Sequence, residues 1–206
     1  PDPVPQCLGM DPELVAHALI EYVQFIVLLL ALFTVSGGIV LRGDLAATPR
    51  TNTAFLAVGG LLASFIGTTG AAMLIRPILA TNAERRYRAH TVVFTIFVVA
   101  NCGGLLTPLG DPPLFLGMLR GVPFTWTFSL LPMWLFVNAL LLLSYWALDR
   151  RFHAREKPEA LEMDTENRTP LSVAGASNLI WFAVIIFAVA LIPSLDIDAV
   201  AHGQLE

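Results

Sequence analysis

The chain has 206 residues, of which 56% are hydrophobic and only 14% charged, with a net charge of −4 and a mean hydropathy of +0.71. Soluble domains average about 45–50% apolar and about 25% charged residues. The composition therefore excludes a soluble enzyme and a disordered chain, and the negative net charge excludes nucleic acid as a partner. We expect an all-α polytopic membrane protein that contacts the lipid bilayer and has neither catalytic residues nor a cofactor.

The apolar segments are of two kinds. Segments 17–41 and 126–148 hold enough consecutive apolar residues to form continuous membrane-spanning helices, which need about 20. Segments 50–80 and 90–119 are also apolar, but glycine, proline and polar residues interrupt them. Backbone groups freed by such interruptions cannot face lipid. We therefore predict a re-entrant helical hairpin over 50–80 and a broken helix over 90–119.

Basic residues cluster in the connections between these segments. If the hairpin enters and leaves on one side, most Lys and Arg residues share that side, which the positive-inside rule places in the cytoplasm. The mixed charges of 149–173 predict a solvated cytoplasmic linker that begins at Asp149. His90 is expected to cap the start of the broken helix. Residues 174–206 begin a further membrane segment.

The predicted hairpin tip is rich in small and hydroxyl-bearing residues. It contains Ser64 and the run Gly67-Thr68-Thr69-Gly70. The half-helix that begins near Thr69 would point its amides at the bilayer centre, and the preceding half-helix would offer carbonyls to a cation. The hydroxyls of Ser64, Thr68 and Thr69 add further oxygen ligands. The alternative is a Gly/Thr kink that only packs against a neighbouring helix.

The second interruption combines glycines and prolines with one carboxylate. Its candidate binding residues are Asn101, Gly103, Gly104, Thr107, Gly110 and Asp111. An acidic residue inside a membrane is costly and by default marks an ion or proton pathway. The alternative is a solvated turn, because Gly-Asp-Pro-Pro is a favourable turn sequence. The apolar run 91–100 is too short to span alone, which favours a break at mid-depth.

Both interruptions resemble motifs of the ion transporter superfamily. This superfamily includes NhaD-type sodium/proton antiporters, ArsB-type arsenite pumps, CitM-type citrate carriers and divalent anion/sodium symporters. The symporters carry Ser-Asn-Thr at a hairpin tip with a proline eight residues later, where this chain has Gly67-Thr68-Thr69 and Pro77. The antiporter run Gly-Gly-x-x-(Ser/Thr)-Pro-(Ile/Leu)-Gly-Asp is similar to residues 103–111. The resemblance covers residues 17–148.

The resemblance implies that the hairpin tip and the helix break together form one cation site and half of a substrate site. Thr68, Thr69 and Asp111 are the Na⁺ candidates, with Na⁺ and H⁺ as transported or coupling ions. In the superfamily an inverted repeat completes the site. Because nothing after Asp149 repeats either motif, residues 1–148 are interpreted as a first-repeat transport unit, and the chain as a fragment whose partner is the second repeat.

Two departures from the symporter pattern bear on the substrate. Leu114 replaces the asparagine that closes the symporter motif, and Asp111 places a negative charge where an anionic substrate would approach. These departures favour a Na⁺/H⁺ antiporter, with Li⁺ as another cation. The alternatives are an ion-coupled carrier of citrate, a dicarboxylate or an oxyanion, and a channel-like or structural membrane subunit. The expected location is a bacterial inner membrane, and a homodimer is compatible with the sequence.

Overall fold

The computed structural model describes residues 12–75, 77–159 and 169–191. Most of these residues lie in helices, and two short strands pair with each other. The elements in chain order are α1 (Pro12–Gly37), β1 (Val40–Asp44), α2 (Pro49–Ile66), α3 (Thr68–Leu74), α4 (Pro77–Thr81), α5 (Ala89–Thr95), a π-helix (Ile96–Asn101), a 3₁₀ helix (Cys102–Leu106), α6 (Pro112–Leu119), a second 3₁₀ helix (Phe124–Leu130), α7 (Leu131–His153), β2 (Thr169–Ala174) and α8 (Asn178–Leu191).

Within the described residues, three helical stretches are long and apolar enough to cross a membrane. They are Ala18–Gly37, Ala89–Leu106 and Phe124–His153, and α8 is a shorter apolar helix. Most of the residues in the first and third stretches remain outside the protein interior. Apolar helices that do not bury their surface in the protein are typical of helices in contact with lipid. The prediction of a mostly helical, polytopic membrane fold is therefore confirmed.

Residues 50–80 form a helical hairpin. Helix α2 begins at Pro49, where Thr48 caps it by accepting a hydrogen bond from the Thr51 amide at 3.2 Å. It ends at Gly67, whose φ of 79° is a conformation that favours glycine. The chain then returns along α2, because Ile75 packs against Gly59 and the side chains of Asn52 and Asn82 exchange two hydrogen bonds of 2.9 and 3.0 Å.

The predicted broken helix 90–119 changes its helical geometry before it ends. At Asn101 the backbone passes from a π-helix into a 3₁₀ helix without leaving the helical path. Regular α-helical geometry has thus already ended at Thr95, although the chain continues as a helix through the Asn101–Gly104 stretch. The helical path ends at Leu106, and α6 begins at Pro112 after a turn over 107–111. The proline and glycine residues of this turn remove donors and permit the close backbone approaches described below.

A two-stranded ribbon joins the ends of α1 and α8. Strand β1 pairs antiparallel with β2, from Val40 opposite Ala174 to Asp44 opposite Thr169. The first predicted span therefore ends at Gly37 rather than at residue 41, and the second half of the predicted linker contains a strand. Beside the ribbon, the Asn178 side chain donates to the Val35 carbonyl at 3.3 Å.

The buried core lies between the hairpin, the broken helix and α7. Gly59 and Gly60 on α2 let the side chains of Val98 and Val99 approach the helix backbone. Tyr145 on α7 is completely buried, and its hydroxyl lies 3.1 Å from the hydroxyl of Thr91 on α5. Small residues at such contacts allow helices to pack closely where no water drives their association. This core holds the hairpin tip against the turn over 107–111.

Candidate functional site

The hairpin tip and the turn of the broken helix are joined by hydrogen bonds. The Ser64 hydroxyl donates to the Gly103 carbonyl at 2.5 Å and accepts from the Leu106 amide at 3.2 Å. The Thr107 hydroxyl donates to the Ser64 carbonyl and accepts from the Leu109 amide at 3.3 Å. Ser64 and Thr107 are both fully buried. The two interruptions found in the sequence therefore lie side by side.

A cavity of about 130 Å³ lies between these two interruptions and α1. The wall on α1 is apolar and includes Phe25, Leu28 and Leu32. The opposite wall contains five of the ten candidate residues, which are Gly67, Thr68, Thr69, Gly110 and Asp111. The cavity therefore has an apolar wall on α1 and a mixed wall, on which Thr68, Thr69 and Asp111 stand among apolar residues that include Ile66, Leu109 and Phe115.

Asp111 stands at the start of α6 but does not use its carboxylate to cap that helix. Its extended backbone (φ −140°, ψ 128°) places it at the capping position, and its carbonyl accepts from the amides of Leu114 and Phe115 at 3.0 and 3.2 Å. Pro112 and Pro113 follow it and offer no amide for a carboxylate to bind. The half-buried Asp111 side chain is thus left available to the cavity.

Two glycines allow the turn to pack closely against the preceding 3₁₀ helix. A β-carbon at Gly110 would lie 2.0 Å from the Gly104 carbonyl oxygen. A β-carbon at Gly104 would lie 2.7 Å from both the Gly110 carbonyl oxygen and the Cγ2 atom of Thr68. Any side chain at either position would push the turn apart. Glycine is therefore required here so that the turn can close and Thr68 can pack against it.

The remaining candidate residues lie away from the cavity. Ser64 and Thr107 use their hydroxyls to join the tip to the turn. The Gly103 carbonyl accepts both from Ser64 and from the Trp134 indole nitrogen, the latter at 3.2 Å. Asn101 is exposed and donates to the Ile96 carbonyl of its own helix at 3.0 Å. The binding roles assigned to these residues from sequence stay predictions.

A second polar cluster lies at the base of the hairpin. Asp149 on α7 is fully buried, and its Oδ1 atom lies 2.7 Å from both Arg85 Nη2 and His90 Nε2. Its Oδ2 atom accepts from the Asn52 amide at 3.3 Å, while Arg85 donates to the Asn82 side chain at 2.9 Å. We call Asn52, Asn82, Arg85, His90 and Asp149 the base network. It ties both arms of the hairpin to α5 and α7.

The base network corrects two sequence predictions. Asp149 belongs to α7 and is buried, so the prediction of a solvated linker that begins there is wrong. His90 does not cap α5, because its ring bonds Asp149 and the capping position is Arg88. Sequence reasoning missed the network, although buried charges are usually paired and an Asp at the end of an apolar run is a signal to look for a partner.

Residues 6–203 match the model of a family described as "Putative citrate transport". No curated protein and no solved structure matches the chain. The resemblance to the ion transporter superfamily is thereby confirmed at the level of citrate transport, and the narrower likeness to NhaD-type and ArsB-type proteins stays a prediction. Because the match extends over nearly the whole sequence, the chain belongs to this family of membrane transporters, CitMHS_2.

Proposed function

We propose that the protein is a cation-coupled carrier of citrate or a related carboxylate, and that the cation binds in the cavity between α1 and the two interruptions. The observation that carries the proposal is that Thr68, Thr69 and Asp111 line the same cavity. In the part of the chain that the structure describes, the two threonine hydroxyls make no hydrogen bond within the protein. They are therefore free to bind a cation beside the carboxylate, since hard cations prefer oxygen ligands.

The carboxylate of Asp111 explains why binding of the cation would be coupled to binding of the anion. An ionised Asp111 repels the carboxylates of an approaching anion. Two like unit charges about 4 Å apart repel by about 4 kcal/mol at an effective dielectric constant of about 20. A cation or proton bound at Asp111 removes that repulsion. Binding of the cation therefore favours binding of the anion, and by thermodynamic linkage the anion favours the cation to the same extent.

The proposal includes a re-entrant hairpin that opens toward the cytoplasm. The base network brings residues 82–90 next to the end of α7. Both regions are rich in arginine, at Arg85, Arg86 and Arg88 and at Arg150, Arg151 and Arg155. Because these two arginine-rich regions are adjacent, the positive-inside rule supports placing both ends of the hairpin on the cytoplasmic side. The tip would then lie within the membrane, with the cavity at mid-depth.

The proposed partners are the bilayer and a second, inverted repeat that completes the substrate site. The cavity offers one wall of candidate ligands, and its other wall on α1 is apolar. Citrate carries three carboxylates and needs further polar groups, which a second repeat with its own tip would add. A bacterial inner membrane and a homodimer are parts of the same proposal.

A Na⁺/H⁺ antiporter is the second candidate function. The observation that favours it is that, among the residues the structure describes, Asp111 is the one charged side chain lining the cavity. A site with a carboxylate and no basic residue suits a cation that exchanges with a proton at the same group. In that case no anion would enter the cavity.

Transport by the protein from its complete gene, purified into liposomes, separates these functions. We expect uptake of labelled citrate that depends on a Na⁺ or H⁺ gradient and that falls at least tenfold in Asp111→Asn. Asp44→Asn is the matched control, since Asp44 lies on β1 outside the cavity. Proton movement driven by Na⁺ or Li⁺ without citrate would instead support the antiporter. Wild-type citrate uptake or proton movement in Asp111→Asn would refute the coupling role of Asp111, and a wild-type protein that shows neither gradient-dependent activity would favour a channel-like or structural subunit.

A further inference from the structure

The end of the helical path before the turn leaves carbonyl groups that need partners. The last carbonyls of any helix lack an amide four residues ahead, and in a membrane no bulk water replaces it. Here the 3₁₀ helix ends at Leu106. The carbonyls of Gly103 and Leu106 belong to its final turn. Each of them accepts a hydrogen bond from a side chain outside the broken helix.

Both donors come from the segment that leads into and forms α7. The Trp134 indole nitrogen donates to the Gly103 carbonyl at 3.2 Å. The buried Thr127 hydroxyl has two acceptors within reach, the Leu106 carbonyl at 2.9 Å and, farther away, the Phe124 carbonyl of its own 3₁₀ helix at 3.1 Å. Trp134 also lies one helical turn before Asn138, whose amide donates to the Trp134 carbonyl at 3.0 Å. The two donors therefore hold the last turn of the broken helix at both of its ends.

We propose that Trp134 and Thr127 are positioning residues that set where the turn presents Asp111 to the cavity. The inference rests on the proposed function of that cavity. The turn follows directly from Leu106, and its own hydrogen bond joins the Gly110 amide to the Thr107 carbonyl at 3.1 Å. A shift of the Leu106 carbonyl is therefore carried into Gly110 and Asp111. Neither Trp134 nor Thr127 lines the cavity itself.

Trp134 has a second effect on the site. With Ser64 and Trp134 both donating to it, the Gly103 carbonyl has used its two lone pairs. It therefore has no capacity left for a cation. The donor at Trp134 directs cation binding toward Thr68, Thr69 and Asp111 and away from the backbone of the 3₁₀ helix.

The test uses the full-length protein in liposomes and three substitutions. Thr127→Val removes one donor with little change in shape, Trp134→Phe removes the other donor together with the five-membered ring of the indole, and Thr127→Ser retains the donor. The matched controls are Trp181→Phe and Thr34→Val, because Trp181 is exposed on α8 and the Thr34 hydroxyl bonds its own helix at Leu30. For each protein, citrate uptake gives the maximal rate and the cation concentration that supports half of it.

A second readout does not depend on transport. Cys102 is the first residue of the 3₁₀ helix and is partly accessible. In a variant with every other cysteine replaced by serine, the rate of Cys102 alkylation by N-ethylmaleimide reports the position of this turn. We expect Trp134→Phe and Thr127→Val to change that rate and to raise the half-saturating cation concentration about threefold to tenfold, the range given by one lost hydrogen bond. The controls and Thr127→Ser should stay at wild-type values.

The outcomes are distinct. A raised half-saturating concentration with a preserved maximal rate supports positioning. A maximal rate that falls in proportion to the amount of folded protein, with unchanged half-saturation and alkylation, overturns it and indicates a structural role. If the wild type shows no cation-dependent uptake, the proposed function fails, and alkylation alone decides the inference: changed rates support it and unchanged rates refute it.

Discussion

Neutralising Asp149 should destabilise the protein strongly, because its carboxylate is the hub of the base network. Its side chain and that of Arg85 are 0% and 1% exposed, and their charged atoms lie 2.7 Å apart. In Asp149→Asn the Arg85 guanidinium stays buried, and the nearest remaining carboxylate is Glu156, at 3.9 Å from Arg85 Nε. Removing one partner of a buried ion pair costs about 3–5 kcal/mol.

A double-mutant cycle separates this pair from its surroundings. We expect Asp149→Asn and Arg85→Gln each to lower the free energy of unfolding by about 3–5 kcal/mol. The double variant should lose less than the sum by about 2 kcal/mol or more, since it leaves neither Arg85 nor Asp149 charged without the other. The measurement is unfolding of the full-length protein in mixed detergent micelles with increasing SDS, followed by circular dichroism.

The chain contains a matched control pair. Glu21 and Arg120 lie 3.4 Å apart, but their side chains are 28% and 71% exposed. The corresponding cycle of Glu21→Gln and Arg120→Gln should give a coupling energy of about 0–1 kcal/mol. Equal coupling energies for the two pairs would show that burial does not strengthen the interaction between Arg85 and Asp149.

Three further predictions concern the tip and the turn. Gly110→Ala should lower the free energy of unfolding by about 3 kcal/mol in the same SDS assay, because its β-carbon overlaps a backbone oxygen, whereas Gly37→Ala, with no atom within 4 Å, should stay within about 0.5 kcal/mol of wild type. Ser64→Ala should cost about 1–3 kcal/mol in that assay, since it leaves a buried carbonyl and a buried amide with weaker partners. Thr68→Val should raise the half-saturating cation concentration for citrate uptake about tenfold, whereas the exposed Asn101→Ala should leave it unchanged.

The sequence predicts well those features that depend on residues adjacent to one another in the chain. The hairpin over 50–80 follows from two apolar arms around Gly67-Thr68-Thr69-Gly70, and the turn over 107–111 follows from its glycines and prolines. That these two interruptions lie together could be predicted only through the resemblance. Half of the candidate residues line the cavity. Polar groups of an interrupted membrane helix cannot face lipid, so they face the protein interior or a cavity.

The features that were missed depend on residues far apart in the chain. Asp149 lies in a run of mixed charges that is typical of a solvated segment. Its partners Arg85, His90 and Asn52 lie 64, 59 and 97 positions away, and they make it a buried hub. The pairing of β1 with β2 likewise joins residues 125 positions apart. Composition over a short window carries no information about such partners, so burial of these polar groups could not be predicted from local sequence.

The hairpin geometry also limits how its sequence can change in length. Asn52 and Asn82 are equidistant from Gly67 along the chain. Their side chains meet because the two arms have the same number of residues between Gly67 and each asparagine. Each residue added to a helix rotates everything beyond it by about 100° and moves it by about 1.5 Å. A single insertion in one arm would therefore separate the two asparagines and turn Arg85 away from Asp149. Insertions and deletions in this protein should consequently be absent from the arms or occur in both together.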